Sequence, residues 1–93
     1  MMTTEPQPIK STDFLILAVK DELTGLFFQP IFCKSEAEGK RWFEFVLNDN
    51  KIWKSNAAMY SLYKLGTFND KEGIKDYPTV ELIVGGLSVK KEE

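Results

Sequence analysis

Phe14-Leu15-Ile16-Leu17-Ala18-Val19 is apolar at every position, and this run limits the folds open to the chain more than any other stretch. A half-exposed strand alternates apolar with polar residues. A strand apolar on both parities is therefore covered on both faces or paired centrally in a sheet. The run is too short to cross a bilayer, and Lys20, Asp21 and Glu22 follow at once, so it reads as neither a signal peptide nor a membrane span. At 93 residues the chain has material for one core. The expected organisation is a polar tail over 1–12 containing Pro6 and Pro8, a single domain over 13–89, and a charged tail over 90–93. A core this small buries a modest share of its surface, which makes a homodimer the expected supplement.

Turn and cap signals divide the rest. Lys20 to Gly25 is a polar turn, so Leu26 to Cys33 forms a hairpin with the first strand, and Pro30 implies an edge position or a bulge. Ser35-Glu36-Ala37-Glu38 is a capping box: the serine oxygen accepts from the third helical residue and Glu38 reaches back to the cap. The helix it opens packs through Trp42 or Phe43 with Val46, admits a close approach at Gly39, and ends at Asn48-Asp49-Asn50. Lys51 to Met59 reads as an ordered loop, its end at Asn56-Ala57-Ala58-Met59 open to a helical turn. Tyr60 to Phe68 and Ile74 to Tyr77 make a second hairpin across the turn Asn69 to Gly73, and Val80 to Val89 is a last strand or a short docking segment. The expected fold is α+β: a small antiparallel sheet in the order ββαββ, with or without a fifth strand, and one helix packed on a face.

The chemistry is that of a binding protein. There is no histidine and a single cysteine, so no zinc site of ordinary ligand type can form within one chain, and no nucleophile has an adjacent base. Asp70, Glu72 and Asp76 lie close in sequence at a turn, where carboxylates serve geometry and solubility; no metal and no cofactor is expected. Cys33, among apolar strand residues, reads as a buried thiol in a reducing compartment. A formal net charge of −2 argues against coating nucleic acid by bulk electrostatics, so any such contact is local. The window Lys51 to Lys64 is where it would lie: Lys51, Lys54 and Lys64 carry charge without an acidic residue, and Trp53, Tyr60 and Tyr63 stand between them. Single-strand binders pair cations along the phosphates with rings on which bases stack. The candidate nucleic-acid-binding set is Lys51, Trp53, Lys54, Tyr60 and Lys64.

Strand parity puts Tyr60 and Lys64 on one side and Tyr63 with Leu65 on the other. Tyr60, Lys64 and Trp53 would line one surface while Tyr63 and Leu65 face the helix, and the pattern allows the opposite assignment equally. Against both stands the plainer reading that these rings belong to the core or its rim. Phe27, Phe28 and Phe32 read as core or dimer interface, because their strand offers no basic neighbour before Lys34; Lys40 and Arg41 read as a solvated helix face.

Read in order, Phe27-Phe28-Gln29-Pro30-Ile31-Phe32, the capped helix with Trp42-Phe43 and Asn48-Asp49, and Tyr60-Ser61-Leu62-Tyr63-Lys64-Leu65-Gly66-Thr67-Phe68-Asn69-Asp70 resemble the small non-structural protein of microviruses. These are gokushovirus-like phages with circular single-stranded DNA. The resemblance runs over residues 14 to 75, with departures at Lys51 to Met59 and after Tyr77. It implies a DNA-binding accessory protein acting in single-stranded genome synthesis, or in the switch from duplex replication to packaging, without catalytic residues. It also implies a place in the cytoplasm of the bacterial host or in association with the virion. The competing expectation is a protein-interaction module that engages the replication initiator, a host replication factor or capsid precursors through apolar strands such as Val80 to Val84, and the net acidic charge favours it.

Overall fold

The structure is a computed structural model, and it describes residues 13–92. The expected tail over 1–12 lies outside the described residues. Six strands form one antiparallel sheet: β1 (Asp13–Asp21), β2 (Leu26–Phe27), β3 (Ile31–Cys33), β4 (Tyr60–Asn69), β5 (Gly73–Lys75) and β6 (Glu81–Gly85). The helices are α1 (Glu36–Asp49), α2 (Lys51–Ser55) and α3 (Gly86–Val89), with a 3-10 turn at Ala57–Met59. The α+β fold with a helix across one face is thus as the sequence implies, and the strand at 81–85 is the additional one.

β1 and β4 form the spine. β2 and β3 both pair with the outer side of β1, and β5 and β6 both pair with the outer side of β4. The second hairpin strand is therefore two short strands, broken at Phe28-Gln29-Pro30 as the missing proline donor requires. Leu17, Val19, Cys33, Phe43, Leu47, Ala57 and Leu62 make the core between sheet and α1, with Trp42, Val46, Ile83 and Val84 half-buried around them. Complete burial of side chains such as Phe43, Leu17 and Leu47 contributes about 1.5 to 3 kcal/mol each. Gly39 lets α1 lie directly on β1, since a Cβ there would overlap Leu17 Cδ1.

Two local expectations change. Ser35 caps α1 by accepting from Glu38 N at 3.1 Å, but the Glu38 carboxylate accepts from Lys34 N at 2.7 Å, one residue before the cap. The segment expected as a loop over Lys51 to Met59 is α2 followed by the 3-10 turn. The reason is Asn50, which ends α1 and caps α2 at once, its Oδ1 accepting from Trp53 N at 3.0 Å. Asn56 closes α2 in turn, its Nδ2 donating to Ile52 O at 2.9 Å.

Candidate nucleic-acid interface

Cross-strand partners in a sheet share a face, so the register assigns every side chain to the helix side or to the helix-free side. Leu17 is paired with Lys64 and Val19 with Leu62, which places Tyr60, Leu62 and Lys64 on the helix side. Ala18 is paired with Tyr63 and Lys20 with Ser61, which places Tyr63 on the helix-free side. Tyr60 and Lys64 thus share the side that the helices occupy, where Trp53 stacks on Tyr60, and Tyr63, expected to face the helix, looks away from α1.

Leu65 has no partner on β1, because the register steps from Leu17–Lys64 to Ile16–Gly66. This β-bulge inverts the parity of the rest of β4. Phe68, which simple alternation would place with Tyr60 and Lys64, is paired with Phe14 on the helix-free face alongside Tyr63. A band of rings results. Phe14 and Phe68 have centroids 6.5 Å apart, Phe32 meets Phe68 edge-on at 5.4 Å, and Phe27 meets Tyr63 edge-on at 5.8 Å. Lys20 Nζ lies 5.5 Å from the centroid of Phe27 and 5.4 Å from that of Tyr63. Phe32 is 52% exposed and Phe27 39%, and Leu82, opposite Tyr63 on β6, is 56% exposed. The outward face of an antiparallel sheet in water is ordinarily polar. Here it is aromatic and wet.

The Tyr63 hydroxyl donates to Glu22 Oε2 at 2.7 Å, and that bond, with desolvation and the Glu22 charge behind it, pushes the phenol above its ordinary value. The same bond ties the Tyr63 ring, edge-on to Phe27, to the turn after β1. The sequence signal for this face was present in Phe14, Ile16, Ala18 and Lys20 on one parity of β1. Phe27 has no basic neighbour along its own strand, but Lys20 comes to it from across the ladder, and Phe32 joins the same face opposite Ile16.

The residues singled out in the sequence fall into two groups and an outlier. Trp53 and Tyr60 stack on each other at 4.8 Å and 17°, with Phe28 against Trp53 at 4.9 Å, so these rings seal the rim of the core. Lys51 and Lys54, one helical turn apart on α2, line an open hollow of about 330 Å³ with Ser55 and Lys90. Lys64 stands apart, between Leu17 on β1 and Glu81 on β6. Val80 is exposed, but Ile83 and Val84 turn toward the core. Among the described residues no helix is long and apolar enough to cross a membrane.

No curated protein and no solved structure matches the chain. A family model does, over residues 14–89, a span that takes in both the segment from Lys51 to Met59 and the end of the chain beyond Tyr77. The match thus runs from β1 to the close of α3 and includes both faces of the sheet, and the chain belongs to the family described as Phage ORF5 protein, a phage protein.

Proposed function

We propose that this phage protein binds single-stranded DNA without strong sequence preference, and that the helix-free aromatic face is where the bases lie. The observation that carries the reading is the band Phe27, Tyr63, Phe32, Phe68 and Phe14 on neighbouring strands, with Lys20 among the rings. Every base has a π-face, so stacking on exposed rings tolerates any sequence, and cations at the same surface meet the phosphates. No chemical turnover is involved. In a phage with a single-stranded DNA genome of the microvirus kind, such a protein assists genome synthesis or the switch from duplex replication to packaging, in the host cytoplasm or with the virion. Phe32 and Phe27 are the stacking residues with the most open ring surface.

A second reading has its own observation: the face holds Lys20 but also Glu22, and an apolar band of this kind suits a protein partner such as the replication initiator, a capsid precursor or a second copy of the chain. Fluorescence anisotropy of a labelled polythymidine oligomer separates the two. Saturable binding that weakens as salt rises, and that falls roughly 5- to 150-fold in Phe32→Ala, is expected if one stacked base is lost. Absence of binding at micromolar protein and low salt rejects the reading and leaves the face to a protein.

A further inference from the structure

Gly66 leaves a gap in the aromatic face. It is paired with Ile16 and stands two residues before Phe68, so on the helix-free side of β4 it occupies the row between Tyr63 and Phe68 and has no side chain to fill it. The ring contacts of the face divide at this row: Phe27 meets Tyr63 on one side of it, and Phe32 and Phe14 meet Phe68 on the other. From Ala18, opposite Tyr63, to Phe14, opposite Phe68, is four residues of β1, about 13 Å of strand, more than one base spans. Gly66 is nevertheless buried, and so is Ile16 beside it, 6% exposed. The cover over Gly66 is Tyr77, whose Cβ and Cδ2 lie 3.5 Å from the point where a Gly66 Cβ would stand.

Tyr77 belongs to the connection between β5 and β6, and its place is fixed through the backbone. Leu65, the residue without a partner on β1, accepts from Thr79 N at 2.9 Å through its carbonyl. The Thr79 hydroxyl donates to Asp76 O, and Asp76 takes a left-handed backbone, φ 55°, that aspartate tolerates better than most side chains. The bulge that turns Phe68 to this face therefore also anchors the connection that lays Tyr77 on it. The ring itself stays open: Tyr77 is 66% exposed, against 52% for Phe32, and among the described residues it meets no other ring. A ring held from the backbone and free on its outer surface loses little freedom when a base stacks on it. We propose that Tyr77 is a base-stacking residue that bridges the two groups of rings, so that a single strand runs along β4 over Tyr63, Tyr77 and Phe68. This rests on the single-strand reading above, and it adds the β5–β6 connection to the binding surface.

Polythymidine anisotropy on the full chain, with the variants Tyr77→Leu, Tyr77→Phe and Phe32→Ala, tests it. Leucine keeps an apolar cover over Gly66 but removes the π-face. Tyr77→Leu is therefore expected to unfold near the parental urea concentration and to bind roughly 5- to 150-fold more weakly, at an unchanged salt slope because no cation is lost. Tyr77→Phe, which restores the ring, is expected to recover the affinity that Tyr77→Leu loses. Irradiation of the parent's complex with an oligothymidine carrying 5-iodouracil is expected to give an adduct at Tyr77, located by mass spectrometry. Parental affinity in Tyr77→Leu beside a loss in Phe32→Ala overturns the role of Tyr77 and leaves the single-strand reading in place. An equal loss in Tyr77→Leu and Tyr77→Phe, or an adduct confined to other residues, overturns it as well. If the wild type binds no polythymidine at micromolar protein and low salt, the single-strand reading fails, and this assignment with it.

Discussion

Asn48, one residue before the end of α1, donates from Nδ2 to the carbonyl of Val89 at 3.0 Å, tying the last helix of the chain to the first. The same amide donates to Glu44 O at 2.7 Å, and its Oδ1 accepts from Lys91 N. All the hydrogen-bonding capacity of one side chain but a single lone pair is thereby used, and the position of Lys90 depends on it.

Replacing Asn48 with alanine leaves the Val89 carbonyl and the Lys91 amide without this partner. The expected loss of stability is about 1 to 3 kcal/mol. Asn48→Asp, which keeps the acceptor for Lys91 N but loses both donated bonds, is expected to destabilise as well. Urea unfolding with an unchanged midpoint in Asn48→Ala would show that the clamp contributes nothing.

At Gly39 helix propensity and packing oppose each other. Alanine is better than glycine within a helix by up to about 1 kcal/mol, yet its methyl would overlap Leu17 Cδ1. Overpacking a tight core costs about 1 to 3 kcal/mol, so packing wins and Gly39→Ala is expected to lower the thermal midpoint. A variant as stable as the parent would mean that α1 lies farther from β1 than described.

Trp53→Ala separates core from interface. Because Trp53 is stacked on Tyr60 and met by Phe28, its removal is expected to lower stability by roughly 3 to 5 kcal/mol at most, the range for burying the ring fully. The affinity of the fraction that remains folded for polythymidine should stay near that of the parent. A loss of affinity at unchanged unfolding midpoint would move the base-stacking site to the helix side.

Cys33 is 3% exposed, and burial, then the Glu38 charge, raise its thiol above the ordinary value. The unfolded chain loses the thiol proton first as pH rises, so stability from this group is full below the ordinary thiol range near 8.5 and declines above it. Unfolding midpoints measured from pH 7 to 10 are expected to fall less in Cys33→Ala than in the parent, once the cavity penalty common to all pH values is subtracted. In the native state the thiol is expected to react slowly with a disulfide reagent and quickly after unfolding.

The elements that were legible in the chain are those set by local chemistry. The apolar run of β1, the Ser35 cap, the close contact at Gly39 and the break at Pro30 each follow from the residues present, because strand burial, capping and proline geometry act over a few positions. The short helix after Asn50 was not legible, since one asparagine closing α1 and opening α2 leaves no signal that separates it from a loop. That Lys51 and Lys54 lie near each other was legible from their spacing, whereas Lys90 comes to the same hollow from the far end of the chain through contacts of Asn48 and Gly86. Above all, the face on which Phe68 stands was decided by the bulge at Leu65. Alternation predicts Phe68 beside Lys64, and one unpaired residue in β4 moves it beside Tyr63 instead. A bulge is a property of two strands in register, settled by what packs on each face, and the residues of one strand do not encode it alone.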